Sequence, residues 1–219
     1  MNTAAEHESA TVAGSAMHTV TALIKQEHRT LGIVLQLLQR LLEEASCYGA
    51  HRDFALLCAT VYYIDDFPER VHHPKEERHL FPVLQRRTRR FDGVLEALRA
   101  EHVLSAQRVA RIHRDLVHYQ AGAPEGLVRL TAGVAAYAEL LQGHMRAEER
   151  MLGDACSDLT DSDWVEIERG FGADRDPLAA DTRQEFRLLR MRILAALPEK
   201  MRLDAESTEA MRPAERPNP

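Results

Sequence analysis

The chain has 219 residues, with 28 Lys and Arg against 34 Asp and Glu and a net charge of −6, and it is 45% hydrophobic. That is ample for one medium-sized core, while the acidic balance excludes a general nucleic-acid binder and no stretch is long and uncharged enough to span a membrane. The three cysteines, Cys47, Cys58 and Cys156, are odd in number and far apart, which excludes a disulfide scaffold and suits reduced thiols in a cytoplasm.

Leu, Ala, Arg and Glu dominate and aromatics are only 5%, so an all-α chain is expected. Residues 1–16 are small and polar and read as a disordered tail without signal-peptide character. A first helix is predicted from about Met17 to Ala45, ending near Gly49. A second runs from about Asp53 to Arg87 and is interrupted by Pro68, Pro74 and Pro82. A third spans about Phe91 to Tyr119, and a fourth about Glu125 to Leu152. Short connections between four long helices imply an antiparallel up-down-up-down four-helix bundle over 17–155. Thr160 and Asp163 then mark the start of a helix over about 160–170. With another over about 181–197, it makes a C-terminal helical extension, 156–200, packed on the bundle. Residues 201–219 read as a flexible tail.

The inward rows are legible at helical spacing. They are Ile24, His28, Leu31, Leu35, Leu38 and Leu42 in the first helix, and Leu95, Leu98, His102, Ser105, Val109, Ile112 and Leu116 in the third. In the fourth, Leu127, Leu130, Val134, Tyr137, Leu141, His144, Glu148 and Leu152 follow the same rule. Each row carries one histidine where an aliphatic side chain would pack better. In the second helix, "VHHPKEERHLFPVL" offers His73 with Glu77 one turn later, and His72 with Glu76 one step round. Upstream, Val61 and Asp65 run in phase with His72. Downstream, Leu80 and Leu84 run in phase with His73 and Glu77, and His73 with Glu77 is preferred on that row. His72 is the reserve.

Counted from the helix ends, His28, His73, His102 and His144 all fall roughly 15–21 Å from one pole of an antiparallel bundle, at about 1.5 Å per residue. Four histidines at one depth, with Glu77 and Glu148 one turn nearer the pole, are hard to reconcile with an ordinary core. Unpaired buried carboxylates cost several kcal/mol each, and a metal centre removes that cost. Imidazole and carboxylate without thiolate suit iron, manganese or zinc, and carboxylates able to bridge suit two ions. Each imidazole needs an acceptor on its outer nitrogen, and none is identifiable from the sequence.

The motifs "QEHR" around His28, "HHPKEERHLFP" from His72, "EH" at His102 and "HMRAEER" from His144 resemble the haemerythrin-like, or HHE, cation-binding domains over roughly residues 17–155. "LTDSDWVEIERGFGADRDPL" also resembles C-terminal segments of bacterial members. The resemblance implies a non-haem di-iron centre in a four-helix bundle: two iron ions with a bridging oxo or hydroxo group. His28, His73, His102 and His144 then look like nitrogen ligands, and Glu77 and Glu148 like bridging carboxylates. The oxygen carriers of this family have a further histidine one turn after the third-helix ligand, where this chain has Ala106. The resulting four-histidine count resembles bacterial members linked to nitric-oxide stress and iron–sulfur repair.

Pro74 and Pro82 cannot donate to the carbonyls of Arg70 and Arg78, so the second helix either bends around the ligand turn or breaks at Pro68 and restarts. The basic run "QRRTRR" (85–90) reads as a solvated helix end. His113 and His118 lie near the far pole, and Trp164 is expected to anchor the C-terminal helices. Three functions follow as expectations. One is a di-iron protein that binds or senses O2 or NO. The second is a di-iron redox enzyme with an electron-transfer partner, and the third a metal-bearing interaction module.

Overall fold

The structure is a computed structural model that describes residues 3–48, 54–172, 191–193 and 195. All regular structure among the described residues is helical. Helix α1 (Thr3–Tyr48) is followed by α2 (Phe54–Phe67), a π-helical turn (Pro68–His72), α3 (His73–Lys75), a second π-helical turn (Glu76–Leu80) and α4 (Phe81–Arg87). Then come α5 (Asp92–Gln120), α6 (Gly126–Ala155) and α7 (Asp161–Phe171). The first helix thus starts at Thr3, within the span expected as a tail. "AAEHESATVA" is rich in helix formers, and a lone Gly14 costs only about 1 kcal/mol in a helix interior. Residues 201–219 and most of the helix expected over 181–197 lie outside the described residues.

Residues 54–87 form one uninterrupted helical rod, so the chain does not break at Pro68. In the first π turn the His73 N–H donates to the Pro68 carbonyl, and in the second the Phe81 N–H donates to the Glu76 carbonyl. Both donors immediately precede a proline, Pro74 or Pro82. A proline ring collides with the carbonyl four residues back and has no N–H to offer it. Widening the preceding turn to i→i+5 accommodates both defects. Each π turn adds a residue and so rotates the downstream faces by about 100° relative to an α-helix of 3.6 residues per turn.

Helices α5 and α6 pack along each other, α6 and α2 pack on α1, and α2 also meets α5. The core they enclose is divided in two. One apolar cluster includes Leu31, Leu35, Val61, Phe67, Val109, Ile112, Val134 and Leu141. The other includes Ile24, Leu80, Phe81, Leu84, Leu98, Met151 and Leu152. On every rod the boundary falls at or next to a histidine: His28 lies between Ile24 and Leu31, His72 and His73 between Phe67 and Leu80, His102 between Leu98 and Val109, and His144, followed by Met145 of the first cluster, precedes Met151 of the second. A buried polar layer therefore crosses the molecule at one level.

Helix α7 lies against α1 and the second π turn. Its start is a capping box in which the Thr160 side chain accepts from the Asp163 backbone and the Asp163 carboxylate from the Thr160 N–H. Trp164, Ile167 and Phe171 are buried. Part of the basic run, expected as a solvated end, docks this helix: Arg87 Nε meets Asp163 Oδ2 at 2.6 Å and Arg86 meets Glu166 at 2.7 Å. Gly170 lets α7 approach so closely that a Cβ there would lie 2.3 Å from His79 Cγ.

Candidate metal centre

The four predicted histidines converge. One donor nitrogen from each of His73, His102 and His144 lies within 4.8 Å of the others. A second group, held to the same limit, comprises His28, His72, Glu76 and Glu148. His72 and His73 are both buried, so the alternatives left open by the sequence are both inside, one in each group. The groups adjoin: the His72 and His73 ring centroids are 5.6 Å apart, and the His73 ring stacks on His102 at 4.1 Å.

Glu76 stands between the two groups. Its Oε1 is 2.9 Å from His72 Nε2, and its Oε2 is 3.4 Å from His102 Nε2. Glu148 Oε2 is 3.1 Å from His28 Nε2. Glu77, expected with Glu148 as a bridging carboxylate, is not among these donors. Its side chain is 42% exposed and faces the outside of His102, with Oε1 2.7 Å from His102 Nδ1. The second π turn explains this placement. Glu77 shares a face with Leu80 and Leu84 only if the helix between them has the α period, and there it does not. His72 and Glu76 share a face across the α turn His73–Lys75, and the apolar row resumes with Leu80 after the extra residue.

The outer nitrogens follow one rule. His28 Nδ1 meets Glu149 at 2.9 Å, His72 Nδ1 meets Glu27 at 2.8 Å, His102 Nδ1 meets Glu77, and His144 Nδ1 meets Glu101 at 3.0 Å. Each of these carboxylates is the chain neighbour of an inward residue on another rod: Glu27 of His28, Glu77 of Glu76, Glu101 of His102, Glu149 of Glu148. Such pairing fixes the ring tautomer and aims Nε2 inward. His73 is the exception. Glu69 Oε2 is 3.6 Å from its Nδ1, and Glu69 instead accepts a hydrogen bond from the Ser105 hydroxyl. The sequence marks these residues only as acidic neighbours of inward positions, and the packing of the rods decides which ring each one meets.

Without a cation the electrostatics of this layer are discordant. Burial works against a charge on His28 and His72, yet carboxylate partners outweigh it. Glu148 and Glu149 raise His28 to about 9, and Glu76 with Glu27 raises His72 to about 10. Burial, with the charge of His102, holds His73 well below its ordinary value. His144 falls to about 3, chiefly through burial. Burial and the charge of Glu76 raise Glu148. His28 Nε2, His72 Nε2, both His73 nitrogens and both oxygens of Glu76 and Glu148 are buried without an aligned hydrogen-bond partner. Each such orphan costs about 1–3 kcal/mol. A pair of cations held by imidazole and carboxylate would satisfy all of them except one nitrogen of His73, which faces Glu69, and thiolate-free donors of this kind suit iron, manganese or zinc.

Of the remaining candidates, Tyr137 is fully buried with its hydroxyl near Ser105, and burial, with the charge of Glu69, raises its pKa well above the ordinary value. His113 is 3.6 Å from Asp65, away from both donor groups. Among the described residues no helix is long and apolar enough to cross a membrane.

No curated protein and no solved structure matches the chain. A family model described as the hemerythrin HHE cation binding domain matches residues 19–156, which takes in every residue of both donor groups. With that match over most of its length and its convergent histidines and glutamates, the chain belongs to the hemerythrin HHE cation-binding domain family.

Proposed function

We propose that the chain is a non-haem di-iron protein that binds or senses a small diatomic ligand, O2 or NO, in the cytoplasm. The four rods are read as an antiparallel up-down-up-down bundle over 17–155, carrying the segment 156–200 as a helical extension. His73, His102 and His144 would hold one ion and His28 and His72 the other, with Glu76 and Glu148 shared between them. The observation that carries this reading is Glu76, whose two oxygens face different histidine groups.

The donor count bears on the ligand. Four imidazoles with two bridging carboxylates and a bridging oxygen would fill about ten of the positions on two six-coordinate ions. Here His72 and His73 both face inward, so five imidazoles are available. Two six-coordinate ions offer about twelve positions. Five nitrogens, two bridging carboxylates and one bridging oxygen fill about eleven, which leaves about one, on the His28/His72 side. His73 thus supplies from the second rod the imidazole that Ala106 does not supply from α5. A single open position favours reversible binding, and iron held this way supplies electron density to an incoming diatomic.

A redox enzyme is the second reading, and Glu69 is the observation that favours it. Burial raises this carboxyl to about 7 despite its hydrogen bond from Ser105, and it sits beside His73 with Tyr137 nearby, so it can hold or give up a proton near neutrality. The test is anaerobic loading with Fe(II), followed by addition of O2 or NO under visible spectroscopy. Two irons per chain and a band that vanishes under vacuum support binding. Prompt conversion to a ferric spectrum that vacuum does not reverse supports turnover. Failure to take up two metal ions per chain removes both readings.

A further inference from the structure

Lys75 is a fully buried lysine next to the polar layer. It cannot be a ligand to the same ions as a protonated amine, and it belongs to neither donor group. Its Nζ donates a hydrogen bond to Glu27 Oε1. The other oxygen of that carboxylate, Oε2, is 2.8 Å from His72 Nδ1, and His72 Nε2 faces Glu76. The side chains therefore form a line, Lys75–Glu27–His72, leading to the ring nitrogen that faces the donor space.

This line differs from the other outer contacts. Glu77, Glu101 and Glu149 are each at least a third exposed, so water and salt screen their charges. Glu27 and Lys75 are both sealed. Phe67 and Phe171 flank the ammonium, with ring centroids 5.9 and 5.1 Å from Nζ. Phe171 is the last residue of α7, and its helix lies beyond the family-matched span of 19–156. Helix α7 is drawn against this spot by the close approach of Gly170 to His79. In such a setting fixed charges act over several ångströms with little screening.

We propose that Lys75 and Glu27 are positioning residues that set, through His72, the oxidation preference of the ion on the His28/His72 side, and that α7 maintains this by excluding water from Lys75. The proposal rests on the di-metal reading above. Glu27 accepts a hydrogen bond from His72 Nδ1–H and strengthens the ring as a donor, which favours the higher oxidation state. Lys75 cancels the carboxylate charge and opposes that preference. The two act with opposite signs, and removing both leaves the net charge of the pair unchanged.

The experiment is potentiometric titration of the iron-loaded full chain, comparing wild type with Lys75→Met, Glu27→Gln and the double variant. Two irons per chain in the wild type establish the underlying reading independently. The expected order is Lys75→Met below wild type and Glu27→Gln above it. Each single shift should be about tenfold in ferric over ferrous preference, or about 59 mV for a one-electron couple. The double variant should return close to wild type. If Lys75→Met fails to fold with Glu27 left uncompensated, Glu27→Gln must still lie above the double variant. A purely packing role predicts changes in melting temperature with potentials that coincide. Coincident potentials, or single variants that shift in the same direction, overturn the proposal even when every variant holds two irons.

Discussion

Glu76 and Glu77 are chain neighbours of the same chemistry, and the second π turn gives them opposite roles. Replacing each with Gln separates those roles. In Glu76→Gln a fully buried carboxylate that faces both donor groups loses its charge. Breaking a buried charge pairing of this kind costs about 3–5 kcal/mol, which is a loss of about 10²-fold to more than 10³-fold in metal affinity. Glu77→Gln keeps an acceptor oxygen for the His102 Nδ1 proton and removes only an outer, half-exposed charge. Changes to outer partners cost about 10–100-fold in affinity, and this conservative one should fall at the low end. The assay is anaerobic Fe(II) loading, desalting and elemental analysis per chain. Glu76→Gln should retain fewer than two irons, and Glu77→Gln should retain two with a nearly unchanged spectrum. The reverse pattern would mean that the helix keeps its α period through Glu76–Leu80, and the placement of the whole ligand turn would be refuted.

His73→Ala should empty the three-histidine side first, lowering metal content toward one per chain, whereas His113→Ala should leave two. Elemental analysis decides both. In the metal-free protein His28 and His72 titrate near 9 and 10, above the ordinary 6.5, so their protonated forms stabilise the fold fully below about pH 6.5. That contribution is lost as pH rises through 9–10. The melting temperature of metal-free protein should therefore fall across pH 7–10. At pH 7 metal uptake should release protons into a weakly buffered solution, and uptake without release would contradict these assignments. Gly170→Ala forces a methyl into the His79 ring and should destabilise the chain by about 1–3 kcal/mol. An unchanged melting temperature would show that α7 docks otherwise. Removing metal with a chelator should lower the melting temperature by restoring the buried orphans.

Much of this molecule is visible in its linear pattern because an α-helix repeats every 3.6 residues. Ile24, His28 and Leu31, or Leu98, His102 and Val109, declare their shared face without any knowledge of the fold. One histidine per apolar row, at matched distances from the helix ends, already implies a common polar layer, and Thr160 with Asp163 announces the start of α7. Where the period changes, that logic fails. Pro74 and Pro82 signal trouble in the second rod, but whether the chain breaks, bends or widens depends on how the freed carbonyls are accommodated, and only the packed rod chose two π turns. That choice turned Glu76 inward, sent Glu77 to His102, and admitted both His72 and His73. The outer carboxylates were equally out of reach. A residue beside an inward histidine points about 100° away from it, toward whichever rod is adjacent, and adjacency is a property of the folded chain. The same reason hid Lys75, a charged residue that the chain alone assigns to solvent and that the closing of α7 places in the interior.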